Sequence, residues 1–203
     1  MRTAFVLLLL ELPGSADTTP RRYADWFPLR VGTEWRFKYG GGEWTQTIVA
    51  RKRVGSVDCA VIEMRYGGQP SYTQYIGRDA EGVRVFGMEQ GGRRLEMSAP
   101  MTYLRTPPRK GQKWSWKGDY FGSQTETAFE DEGDETVEIL GKKTACRRVA
   151  GRWNLGDVQI TMETTMWFAP GMGIVKMRYA YEFGGGRETA QEMILTEFKA
   201  GGK

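Results

Sequence analysis

The chain has 203 residues, a formal net charge of +4 from 29 Lys and Arg against 25 Asp and Glu, and no histidine. The missing histidine excludes Ser-His-Asp and Cys-His nucleophilic sites and histidine-ligated metals. Two cysteines are too few for a four-cysteine zinc site or a disulfide-dense scaffold, and the one compositional excess is glycine, 27 residues where usage of ~7% would give about 14.

The N-terminus carries the first local signal. Met1-Arg2 is a short basic start, Ala4 to Leu10 is an unbroken apolar run, and Gly14 and Ala16 stand at the −3 and −1 positions of a cleavage site. This layout predicts a secretory signal peptide over 1–16, its apolar run too short to span a bilayer. The alternative is a buried strand or helix at the start of the domain. A leader places the mature protein in the periplasm or outside the cell, and no later stretch is apolar enough for a transmembrane helix. Residues 17–26 form an N-terminal segment, with one helical turn expected near Arg21 to Trp26.

From 27 to 199 the pattern predicts one all-β domain. Glu34-Trp35-Arg36-Phe37-Lys38-Tyr39 alternates polar and aromatic residues. In Val175 to Phe183, Val175, Met177, Tyr179, Tyr181 and Phe183 share one side, and Lys176, Arg178 and Glu182 the other. Period two with aromatic and β-branched residues means strands with one buried and one wet face. Glycine clusters at 40–42, 67–68, 91–92 and 184–186 fall between such stretches, as hairpin turns require. About a dozen mainly antiparallel strands are expected, in a curved sheet or a barrel-like sandwich.

The domain reads as two similar halves, 27–105 and 106–199. Pro28 to Lys38 and Pro107 to Lys117 share the pattern P-x-R-x-G-x-x-W-x-aromatic-K, with Trp35 and Trp114 separated by 114 − 35 = 79 residues. Cys59 and Cys146 each follow a glycine-containing turn. Gly82-Val83 and Gly173-Ile174 then correspond at 173 − 82 = 91. Three correspondences in one order favour an internal duplication. Within the shared motif, Trp35, Phe37, Trp114 and Trp116 are either core plugs at the first inward strand positions or a ligand platform. Cys59 and Cys146 are candidates for a disulfide in an oxidising compartment, or two separate buried thiols.

Two strings carry a resemblance. Trp26-Phe27-Pro28-Leu29-Arg30-Val31-Gly32-Thr33-Glu34-Trp35 resembles the opening of a group of bacterial secreted domains of unknown function, and Trp167-Phe168-Ala169-Pro170-Gly171-Met172-Gly173-Ile174-Val175-Lys176 resembles its closing signature. That group is loosely similar to the curved β-sheets of Lol-type lipoprotein carriers, which hold acyl chains. The resemblance implies a non-catalytic β-fold with an apolar ligand on its concave face.

Other chemistry fails on spacing. Gly141-Lys142-Lys143-Thr144 lacks the first glycine of a P-loop, because residue 136 is Thr136. The acidic run Glu130-Asp131-Glu132-Gly133-Asp134-Glu135 could offer oxygens to Ca²⁺ but fits no EF-hand loop, and reads as a solvated hairpin tip or a charged sheet edge. Asp25, Glu63, Asp79 and Glu163 are carboxylates with no visible pairing for glycosidase chemistry. The basic groups Arg51-Lys52-Arg53, Arg93-Arg94, Lys142-Lys143 and Arg147-Arg148 are spread along both halves, which argues against nucleic acid.

The expectation is therefore a non-catalytic exported envelope protein without a cofactor. It binds or carries an apolar or lipid-like ligand, with lipid, a lipoprotein or another envelope protein as partner. The alternative is a structural or assembly protein of the envelope with a closed core. N-terminal sequencing of the protein recovered from an envelope fraction is expected to begin at Asp17 or within a few residues of it. A chain still starting at Met1 would overturn the leader.

Overall fold

Wherever hydrophobic alternation runs with period two, the chain is strand. In a computed structural model, residues 26–202 are described apart from 157–158, 185 and 188–189. The leader expected over 1–16 and nearly all of segment 17–26, with its expected helical turn, lie outside the described residues. The first meander comprises β1 (Glu34–Tyr39), β2 (Gly42–Val54), β3 (Val57–Tyr66), β4 (Gln69–Asp79), β5 (Gly82–Gln90) and β6 (Arg93–Arg105). The second comprises β7 (Lys113–Tyr120), β8 (Ser123–Ile139), β9 (Lys142–Leu155), β10 (Ile160–Ala169) and β11 (Gly173–Phe183). The two-residue β12 (Gly186–Arg187) extends the turn after β11, and β13 (Gln191–Lys199) returns between β11 and β1. All pairings are antiparallel, and no α-helix occurs among the described residues.

The strands form one sheet in the order β6-β5-β4-β3-β2-β1-β13-β11-β10-β9-β8-β7, with β12 beside β11, and the sheet curls into a nearly closed barrel. Bulges at Arg36/Phe37, Ile48/Ala50, Tyr75/Ile76, Asp131/Gly133 and Trp167/Phe168 add the local twist that curling requires. The two motif tryptophans open β1 and β7, and the cysteines fall on β3 and β9.

The two junctions between the meanders differ. β13 and β1 form a full ladder from Glu34↔Lys199 to Tyr39↔Met193. β6 and β7 touch but share no ladder. Side chains close this seam instead: the Trp114 indole donates to the Thr102 carbonyl at 2.9 Å and the Trp116 indole to that of Ala99 at 2.7 Å. Both indoles thus satisfy β6 edge carbonyls that a neighbouring strand would otherwise engage.

One end of the barrel, bearing the turns after β2, β4, β8 and β10, is packed solid; we call it the lower end. Trp35, Phe37, Ile48, Ile62, Phe168 and Val175 are at most 1% exposed there. The Phe27 ring lies 5.7 Å from Trp35 and fills the space where a Cβ on Gly173 would sit, 2.9 Å from it. Farther round, Trp114 stacks on Phe129 at 5.6 Å, and Phe129 meets Trp153 edge-on. Gly151 is pressed beneath the Phe129 ring, with 2.9 Å left for a Cβ, so only glycine allows this contact.

The expected disulfide is not formed. Cys59 and Cys146 are free and buried on strands six places apart in the sheet, and burial pushes both thiols up to about 11. At pH 8 both are expected to be inert to a thiol reagent in the folded protein, and two equivalents to react once guanidinium is added without reductant. A count of zero would reinstate the bond.

Trp35→Ala and Trp114→Ala each remove a buried ring, and each is expected to lower stability by about 3–5 kcal/mol in urea melts. A loss below ~1 kcal/mol at either position would overturn the core role there.

Candidate functional site

An interior as wide as this one is not filled along its whole length. Eight strands make a barrel that side chains just fill. Here about a dozen enclose the interior, and at the upper end, bearing the turns after β1, β3 and β7, they leave a cavity of about 390 Å³. That volume lies within the range of small-molecule sites, ~300–1,000 Å³. None of its lining side chains is charged.

Strand register builds two facing walls. Across β13, β11 and β10, Met193 pairs with Met177 and Met177 with Met166, which sets a row of flexible thioethers on one wall. On the other arc of the sheet, Gln46 pairs with Met64 and Met64 with Tyr72 across β2, β3 and β4. Of the expected inward set on β11, Val175 is buried and Met177, Tyr179 and Tyr181 line the cavity, but Phe183, at the strand's end, is 42% exposed. The bulge opposite Trp167/Phe168 leaves Val175 without a register partner, and Ile174 lines the cavity with Met177, Tyr179 and Tyr181.

Aromatic rings circle the upper end. From Trp153 the contacts run through Tyr120, Phe121, Tyr72 and Trp44 to Tyr66, then through Tyr39 to Tyr179 and Tyr181, with centroids 4.8–6.2 Å apart. Met162 stands between the two ends, in register with both Trp153 and Tyr181. Phe121, in the turn after β7, carries the ring contacts across the unladdered seam to Tyr72 on β4. It does so from a left-handed backbone, φ 54°, that a bulky residue adopts only under tertiary constraint. Its edge-on contacts with Tyr120 at 4.8 Å and Tyr72 at 5.0 Å supply that constraint.

The phenols are held neutral. Burial, before any other influence, raises Tyr72, Tyr103, Tyr120 and Tyr179 above the usual tyrosine value. Gln74 Nε2 donates to the Tyr103 hydroxyl at 3.2 Å, and the Tyr120 and Tyr103 hydroxyls, like those of Tyr179 and Tyr39, stand near enough to influence each other's ionisation. Trp153 Nε1 donates to Thr164 Oγ1 at 3.1 Å, and Thr164 donates to the Gly151 carbonyl. The result is an apolar, uncharged chamber with a few polar groups on its walls.

The residues singled out from sequence lie elsewhere. Trp35, Phe37, Trp114 and Trp116 are buried in the packed core and do not line the cavity. Cys59 and Cys146 do not line it either. The acidic run is not a hairpin tip, because it lies within β8 and pairs with β9. On its other side the β7 ladder stops at Glu130 and Asp131 bonds the Gly111–Gln112 backbone, so from Glu132 to Glu135 the strand has no ladder partner there, as a charged sheet edge would have it. Its carboxylates face cations: Glu130 pairs with Lys113, Asp131 and Asp134 with Arg147, and Glu132 and Glu135 with Arg148. Asp131 also accepts from the Gly133 amide at 3.0 Å and is 1% exposed, so this pair staples the β8 bulge. Among the described residues no cluster of three or more metal-ligating side chains occurs. Sequence reasoning passed over Gln46, Tyr72, Tyr103, Tyr120 and Phe121. The available signal was the density of Tyr and Met on alternating positions, which does not by itself separate a filled core from a lined chamber.

No family model matches the sequence, and no curated protein matches it. Solved structures do. A candidate lipoprotein of Parabacteroides distasonis aligns with a TM-score of 0.50 at 15% identity, over 86% of this chain and 99% of that chain. A candidate exported protein of Bacteroides fragilis with a YmcC-like fold aligns at 0.48 and 14%, over 86% and 99%. The hypothetical lipoprotein YmcC of Escherichia coli aligns at 0.39 and 10%, over 81% and 83%. The likeness to the Parabacteroides protein is one of fold.

Proposed function

We propose that this protein is a non-catalytic component of the bacterial envelope that holds an apolar, lipid-like ligand in the upper end of its barrel. The observation that carries the reading is the 390 Å³ cavity whose lining contains no charged side chain. A chamber of methionines and aromatic rings binds by apolar contact and shape, and methionine adapts to flexible occupants. Its volume equals about 13 waters at ~30 Å³ each, yet its methionine wall offers them few partners. An apolar occupant removes that unfavourable surface.

The envelope part of the reading rests on the leader pattern over 1–16 and on the fold shared with a candidate lipoprotein. The closed-core alternative describes only the lower end.

Native mass spectrometry of the protein gently extracted from an envelope fraction is expected to show a bound lipid mass. An anilinonaphthalene probe is expected to bind the emptied protein and fluoresce. Met177→Trp puts a large ring into the cavity and should abolish probe binding while the fold still melts cooperatively. A bare mass together with no probe fluorescence would overturn the proposal.

A further inference from the structure

Several polar side chains lining the cavity are paired with one another. Gln74 bonds Tyr103 and Trp153 bonds Thr164, while the Tyr120 hydroxyl neighbours that of Tyr103 and the Tyr179 hydroxyl that of Tyr39. Gln46 and Tyr72 are different. Both line the cavity, and among the described residues neither the Gln46 amide nor the Tyr72 hydroxyl has a hydrogen-bond partner. They flank Met64 in register on β2 and β4, so their backbones stand two strand spacings apart, roughly 10 Å. All three side chains line the chamber. Both residues are half-buried and line the chamber without a protein partner for their polar atoms, so a ligand's polar atoms can pair with them there. Both side chains donate and accept, which suits a carbonyl or hydroxyl oxygen.

The opposite wall supplies the rest of the specificity. Met166, Met177 and Met193 present only apolar surface, and no lysine or arginine lines any part of the chamber. An ionised carboxylate or phosphate brought inside would lose its water and meet no counter-charge. A neutral ester or alcohol loses far less and regains its hydrogen bonds from Gln46 and Tyr72.

We infer that the occupant is a neutral amphiphile, of the acylglycerol or fatty-alcohol class, whose uncharged oxygen group seats between Gln46 and Tyr72 while its chain lies along the methionine row. This rests on the ligand-holding reading above and adds to it the chemistry and the orientation of the ligand.

Three probes with the same chain length test it: monolauroylglycerol, dodecanol and laurate at pH 8. Trp44 and Trp153 stand in the chamber wall, so intrinsic fluorescence reports occupancy. The ester and the alcohol are expected to bind, and laurate to bind weaker by about tenfold or more, since its charge is unpaired inside. Tyr72→Phe, which keeps the ring against Trp44 and Phe121, and Gln46→Met, which keeps the volume, should each weaken the ester by about tenfold and leave an anilinonaphthalene probe unaffected.

Equal binding of laurate and the ester would put the head group in water and overturn this inference, leaving the chamber reading in place. Unchanged ester binding in Tyr72→Phe would overturn it as well. If Gln46→Met does not fold, the comparison of probes on the unaltered protein and the Tyr72→Phe titration still decide. Binding of none of the probes would remove the chamber reading itself.

Discussion

The width of the barrel is the constraint from which the rest follows. Closing about a dozen antiparallel strands into one sheet gives an interior that ordinary side chains cannot fill from end to end. At the lower end the chain answers with buried rings: Phe27 packs against Trp35, and Phe37 and Phe168 are at most 1% exposed. At the upper end the aromatic residues stand round the wall and touch their neighbours along the ring of strands. The same residue type therefore makes a plug at one end and a lining at the other. The difference lies in whether the rings are buried in packed side chains or stand round a cavity.

Closure itself is asymmetric. One junction between the meanders is a backbone ladder, β13 on β1, and the other is held by side chains. At the β6–β7 seam two indoles cap carbonyls of the edge strand, and Phe121 reaches over it to Tyr72. A dozen strands with an unpaired edge would otherwise present a template for another chain. Tryptophan suits this position because one residue supplies both the buried ring and the donor that the open carbonyl needs.

Charge is sorted by position. Arg147 and Arg148 tie the acidic face of β8 to β9, and Trp167, facing outward, lies between Arg148 and Lys176 with its indole donating to Glu135. Tyr75 is covered in the same way by Lys52 and Arg94. Long cationic stems thus shield outward aromatic rings, and cation–π attraction adds to the packing. The chamber keeps no charge, so polarity there is left to amides and hydroxyls that burial holds neutral.

Sequence alone determined the class of fold. Period-two alternation placed β1 at Glu34–Tyr39, and the glycine pairs at 67–68 and 91–92 marked turns whose residues all adopt left-handed backbone. These are local properties, written in neighbouring residues. The turns at Phe121-Gly122 and Leu140-Gly141 were not legible, because both set a bulky residue where hairpin turns favour Asn, Asp or Gly; Phe121 is held there by Tyr120 and Tyr72, while Leu140 is 44% exposed. Alternation likewise says which residues share a face but not what that face meets. A single bulge at Val175 brought Ile174 to the chamber while Val175 stayed buried, and the acidic run proved to be mid-strand, its carboxylates paired with Lys113 of β7 and with Arg147 and Arg148 of β9. Tyr72 and Gln46 read as any half-buried strand residues. Only the closure of the whole sheet decided that they face empty volume rather than a packed neighbour, since the size of an interior depends on how many strands enclose it, which no stretch of the chain records.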